Sequence, residues 1–171
     1  MKGYVQVYTG DGKGKTTAAM GLALRAVGAG LKVFIGQFVK GMKYSETIAL
    51  EKLSDEITVK QYGKDCFIYN EPDADDIKRA REGLDEMKNI LAAGDYELVI
   101  MDEANIATYY KLFSVEELLE AIDNKHESVE VVVTGRKAEE KLLERADLIT
   151  EMKEVKHYYQ KGVEARKGIE S

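Results

Sequence analysis

The amino-acid sequence predicts a three-layer α/β fold around a mostly parallel central sheet. Short apolar runs of β-type composition alternate with longer runs of helical period along the chain. A glycine-rich turn, Thr9-Gly10-Asp11-Gly12-Lys13-Gly14, joins the first strand-type run to the first helix-type run, and Lys15-Thr16-Thr17 follows it directly. Polar groups close the apolar runs at what would be the carboxyl edge of such a sheet, where ligands bind: the glycine turn, Asp102-Glu103 and Thr134-Gly135-Arg136.

Each element has its own warrant. Residues 4–8 alternate as a strand. In residues 17–29 two adjacent i, i+4 rows, Ala18, Leu22, Ala26 and Ala19, Ala23, Val27, make one buried stripe, and Gly28 and Gly30 stop the helix. Residues 31–38 read as a buried strand, completing a βαβ unit with a right-handed crossover. A loop at 40–44, a short helix at 45–53 and a strand at 57–62 follow. Residues 63–72 are irregular, ending at Pro72; Asp73, Asp75 and Asp76 then suit a helix start. That helix presents Ile77, Ala80, Leu84, Met87 and Leu91 on one face, with Lys78–Glu82 and Arg81–Asp85 as solvated i, i+4 pairs, and ends at Gly94. Residues 97–101 are a buried strand. Ser114 and Glu117 form a capping box ahead of a helix using Leu118, Leu119 and Ile122. Residues 129–133 are another strand, a helix through Leu142, Leu143 and Ala146 follows, and 148–152 is a last short strand. The tail, 156–171, has no clear period.

With 171 residues and no repeat or linker, the chain reads as one domain, 1–171. A net charge of −6 argues against general nucleic-acid binding. No run reaches membrane-span length, no signal-peptide pattern opens the chain, and the single cysteine, Cys66, allows no internal disulfide; the expectation is a cytoplasmic protein with no membrane partner. Two histidines, His126 and His157, are too few for a histidine-rich metal site.

The glycine turn has the physics of a phosphate-binding loop. Glycines let backbone N–H groups converge on phosphate oxygens, and the helix N-terminus adds its dipole. Lys15 would bring a positive charge among the phosphates, and the Thr16 hydroxyl would bind Mg²⁺. The usual spacing places four residues between the first glycine and Gly-Lys-Thr; here Gly10 leaves three, so the loop is one residue short. Asp102 or Glu103 would hold the metal directly or through water. Arg136 is placed to reach phosphate, and Arg25 lies ten residues beyond Lys15 on the same helix. Phe67 and Tyr69 form an aromatic pair in an irregular segment, a pattern that either covers the core or stacks on a planar ligand. The sequence presents no Ser/His/Asp set and no metal-ligand cluster, which suits chemistry that needs only phosphate stabilisation and positioning. A P-loop kinase or ATPase using Glu103 as base, and a non-catalytic ATP-binding regulator, are the rival readings.

The run from Thr9 to Ala18 resembles the shortened phosphate loop of the P-loop ATP:corrinoid adenosyltransferases. The similarity continues through Gly36-Gln37-Phe38-Val39-Lys40-Gly41, the run from Leu98 to Asn105, Val132 to Arg136, Ala146 to Met152 and the tail motifs Val155-Lys156-His157 and Lys167-Gly168-Ile169-Glu170. The resemblance implies a P-loop NTPase-like (RecA-like) fold and a reaction in which cobalt(I) of cob(I)alamin or cob(I)yrinic acid a,c-diamide attacks C5′ of ATP and displaces triphosphate. It implies ATP as co-substrate with Mg²⁺ or Mn²⁺, a corrinoid substrate, a reducing flavoprotein partner and a homodimer. ATP would lie in the reverse of the usual direction. The residues implied are Thr9, Gly10, Asp11, Gly12, Lys13, Gly14, Lys15, Thr16, Thr17, Arg25 and Arg136 for the nucleotide, and Thr16, Asp102 and Glu103 for the metal. Lys15 would serve catalysis together with Phe67 and Tyr69, which fall where the family carries Phe-x-Trp to displace the lower axial ligand of cobalt; Tyr69 replaces the tryptophan. Tyr158 stands where a proline usually follows the tail histidine.

Overall fold

Among the described residues six strands, β1 (Val5–Thr9), β2 (Val33–Gln37), β3 (Ile57–Gln61), β4 (Leu98–Asp102), β5 (Glu130–Thr134) and β6 (Leu148–Glu151), form one sheet in the order β3-β2-β4-β5-β1-β6. Every pairing is parallel. The computed structural model describes residues 2–42, 44–53, 55–64 and 71–170; Cys66, Phe67 and Tyr69, and the roles expected of them, lie outside the described residues. The helices are α1 (Lys15–Gly28), α2 (Ser45–Leu50), α3 (Ala74–Ala93), α4 (Ala104–Tyr109), α5 (Val115–Asp123) and α6 (Glu140–Arg145).

Period-two alternation sorts the strand side chains into two cores. Val5, Val7, Phe34, Val99, Met101, Val131 and Val133 point to the face where Leu84 and Met87 of α3, Leu118 and Ile122 of α5 and Leu142 of α6 pack. Val33, Ile35, Leu98, Ile100 and Val132 point to the other face, against Ala19, Met20, Ala23 and Ala26 of α1. Helices therefore cover both faces, and the central strands β2, β4 and β5 are buried along nearly their whole length, as a parallel sheet requires.

Several expectations shift. The buried stripe of α1 runs through Ala19, Met20, Ala23 and Ala26, while Ala18 is exposed. β1 and β2 are parallel but not neighbours, since β5 and β4 lie between them. Residues 51–53 form a 3-10 turn rather than continuing α2. Arg81 does not pair with Asp85; its Nε donates to the Leu112 carbonyl at 3.4 Å. α4 follows β4 after one residue; at six residues it is too short to show a helical period. The helix starts hold as expected. Asp73 accepts from the N–H groups of Asp75 and Asp76, and Ser114 and Glu117 bond reciprocally.

Candidate active site

β1 ends at Thr9, and the backbone then turns through Gly10 (φ 96°) and Gly14 (φ 117°) before α1 begins at Lys15. Both glycines occupy left-handed space that other residues enter only with strain. The loop is stitched to the chain leaving β6: the Met152 N–H donates to the Thr9 carbonyl at 2.8 Å, and the Gly12 N–H donates to the Met152 carbonyl at 2.6 Å. A Cβ on Gly12 would lie 2.6 Å from that carbonyl oxygen, so nothing larger fits. Lys15 is buried and curls back across the loop, its Nζ 2.7 Å from both the Gly10 and the Gly12 carbonyl oxygens. Burial pushes its pKa down and nearby Arg136 adds to this, against the pull of Glu103 and Asp11.

Below the loop lies a dense polar floor centred on Asp102, the last residue of β4, which is fully buried. Its Oδ1 accepts from the Thr16 hydroxyl at 2.9 Å and the Thr134 hydroxyl at 2.7 Å. Its Oδ2 accepts from Gln37 Nε2 at 3.1 Å and from Lys40 Nζ at 2.8 Å. Strand order makes this possible: β2 and β5 flank β4, so Gln37 and Thr134 close their strands on either side of Asp102. Burial alone would raise the Asp102 pKa, but the Lys40 ammonium and these donors outweigh it and hold the carboxyl below its usual range. Lys40 is raised in turn: burial lowers it, and the Asp102 and Glu103 charges overcome that.

Glu103, the next residue, has the opposite fate. It sits at φ 60°, a left-handed conformation, and its N–H donates to Thr134 Oγ1 at 3.0 Å. Burial, and then the charge of Asp102, push its pKa up. Gly135 (φ 129°) leaves room for it, since a Cβ there would stand 3.2 Å from Glu103 Oε2.

Loop and floor open on a cavity of about 880 Å³, lined by residues 12–17 of the loop, Lys40, Glu103 and Arg136. The tail forms its roof. Lys13 Nζ donates to the Ile169 carbonyl at 2.7 Å and pairs with Glu170 at 3.2 Å. Tyr158 also bonds Glu170, and its ring lies 5.2 Å from the Arg166 guanidinium, so Tyr158 anchors the tail. Of the residues expected at the site, Thr9, Gly10, Asp11 and exposed Arg25 are not part of the lining. Thr134 takes the place at the sheet edge expected of it, whereas Lys40, Gln37 and the tail residues His157, Ile169 and Glu170 were not expected there. Their signal was position, at and just beyond the end of β2 and in the tail motifs.

The donor set fits a small divalent cation in part. The Thr16 hydroxyl and the Asp102 carboxylate already share one ammonium, and Glu103 faces the same cavity. Among the described residues no group of three or more His, Cys, Asp or Glu side chains stands ready to hold a metal alone. Bound phosphate or water would complete the shell. No helix among the described residues is long and apolar enough to cross a membrane.

An all-parallel, three-layer α/β sheet with a glycine turn and Lys-Thr between its first strand and helix defines a P-loop NTPase-like domain. The family model for ATP:corrinoid adenosyltransferase BtuR/CobO/CobP matches residues 1–171. The chain is similar to the corrinoid adenosyltransferases of Escherichia coli strain K12 (36% identity, covering 99% of this chain and 86% of that protein) and Pseudomonas aeruginosa (34%, 99% and 84%). It is similar too to corrinoid adenosyltransferase CobA of Salmonella typhimurium (34%, 99% and 86%). The chain belongs to the ATP:corrinoid adenosyltransferase family, whose activity is ATP-dependent adenosylation of a corrinoid.

Proposed function

We propose that the loop grips the polyphosphate of ATP so that C5′ of the ribose is left open to cobalt(I) of a cobalamin or a cobalamin precursor. The cobalt–carbon bond forms as the C5′–oxygen bond breaks, and triphosphate leaves. The observation that carries this reading is the pairing of a contracted loop with a cavity whose lining is cationic. Lys15, Lys40, Lys13 and Arg136 face the place where a polyanionic leaving group would sit. The nucleophile belongs to the substrate, so the chain needs no activated side chain of its own.

Lys15 is assigned to the leaving group. Its ammonium satisfies itself on two loop carbonyls, contacts that a phosphate oxygen replaces with a stronger, charge-assisted bond. The free N–H groups opening α1 add to the same attraction. Thr16 and Glu103, with Asp102 behind them, are assigned to Mg²⁺ or Mn²⁺, which when bound neutralises charge on the triphosphate. Arg136 is assigned to the nucleotide. Phe67 and Tyr69 are assigned to the lower face of the corrinoid, and a reducing flavoprotein and a homodimer are the partners the family suggests.

Anaerobic incubation with ATP and chemically reduced cob(I)alamin tests the reading. The expected result is the absorbance change of cobalt–carbon bond formation with one triphosphate released per adenosyl group. ADP and phosphate without an adenosylated corrinoid would overturn it. Tyr69→Ala is expected to slow the reaction from cobalt(II) by about tenfold while sparing pre-reduced cobalt(I). Equal loss in both assays would remove Tyr69 from that role.

A further inference from the structure

Lys40 belongs neither to the glycine loop nor to the acidic strand end, yet the backbone is held in an unfavourable shape to deliver it. Val39 sits at φ 53°, a left-handed conformation that a β-branched residue rarely adopts. Strained positions of this kind persist where surrounding structure enforces them, and they cluster at functional sites. Here the enforcement is visible. The Phe38 N–H donates to the Asp102 carbonyl at 2.9 Å, the Tyr62 N–H to the Gln37 carbonyl at 2.9 Å, and the Gly63 N–H to the Lys40 carbonyl at 3.1 Å. A Cβ on Gly63 would lie 2.3 Å from the Lys40 nitrogen, so only glycine permits the two backbones to touch.

The outcome is an ammonium 2.8 Å from Asp102 Oδ2 and 3.4 Å from Thr16 Oγ1, with its side chain only 15% exposed. An ammonium is a compact positive charge that asks only for oxygen partners, as a small metal cation does. Two of those oxygens are the ones assigned above to the divalent cation. We infer that Lys40 is a positioning residue that stands in for the divalent cation. It fills the cation's place between Thr16 and Asp102 while nucleotide is absent, and yields it when metal and ATP arrive together. This inference rests on the proposed metal role of Thr16 and Asp102. Its consequence is that buried Asp102 is never left without a countercharge, and that the metal does not load ahead of the nucleotide.

Binding of Mn²⁺ to the full chain, followed by electron paramagnetic resonance without nucleotide, tests it. The unmutated protein is expected to bind Mn²⁺ weakly. Lys40→Met is expected to gain one Mn²⁺ per chain with affinity higher by at least about tenfold, and to lose that gain in the Lys40→Met/Thr16→Val double variant. Melting temperature should rise with Mn²⁺ in the single variant and not in the unmutated protein. If Lys40→Met does not fold, Lys40→Gln, which keeps a hydrogen-bond donor for Asp102, is expected to change in the same direction. Equal Mn²⁺ affinity with and without Lys40, or a tight Mn²⁺ site in the unmutated, nucleotide-free chain, would overturn the inference. Should adenosylation proceed normally alongside such a result, the Lys40 inference alone falls; if the unmutated chain binds no Mn²⁺–ATP, both readings fall.

Discussion

The floor and the roof of the cavity are both built on ion pairs, and they differ in kind. On the floor, Asp102 is fully buried and its oxygens accept from four side chains, on two strand ends, the loop after β2 and a helix. On the roof, Lys13, Tyr158, Arg166 and Glu170 meet at the surface, with Lys13 and Arg166 about half in solvent. A buried pair is costly to break because the survivor is stranded without water or countercharge, whereas a surface pair returns to solvent. The floor is therefore scaffold and the roof is detachable.

The largest effect tests the floor. Asp102→Ala strands the Lys40 ammonium and should lower stability by about 3–5 kcal/mol, seen in thermal melting as roughly 6–20 °C for a chain of this size. A loss as small as a surface substitution gives would erase the contrast. Next, Lys15→Ala should cut kcat by about 10²–10³-fold, the scale of one lost charge-stabilising donor, with the fold intact; near-normal turnover would remove Lys15 from the leaving group.

Glu103 divides the floor itself. Its folded-state pKa lies above the ordinary value, so the folded chain holds more protons than the unfolded one in that window. Stability accordingly falls as pH rises through the window. Glu103→Gln should remove that slope and raise stability at neutral pH by about 1 kcal/mol while impairing turnover, the trade found at sites built for function. Melting across pH, with an activity assay, checks both. The smallest effect belongs to the roof: Glu170→Ala should move the melting temperature by no more than about 2 °C, yet proteases should cut the tail beyond residue 153 sooner. A large melting shift there would make the roof part of the scaffold.

Most of the frame was legible because strands and long helices announce themselves by period: β1 to β6, α1, α3 and α5 fall within a few residues of where the pattern puts them. The glycine turn was legible because its chemistry is local. Gln37 and Lys40 were not, since one is a single polar residue at a strand end and the other lies in the loop beyond it. What makes them neighbours of Asp102 is the order β2-β4-β5, which no local pattern encodes. The roof escaped for another reason. Its residues are held by charge and aromatic contact rather than by an apolar stripe, so residues 156–170 carry no period to find.

The stitch between Met152 and the loop has a consequence for loop length. The Met152 carbonyl already fills the space behind Gly10 and Gly12, with virtual Cβ distances of 2.5 and 2.6 Å. An inserted amino acid restoring the ordinary spacing would have no room on that side and would bulge inward, toward the cavity. Contraction and the path of the chain after Glu151 thus form one device, and transplanting the turn into another scaffold would demand carrying that exit along with it.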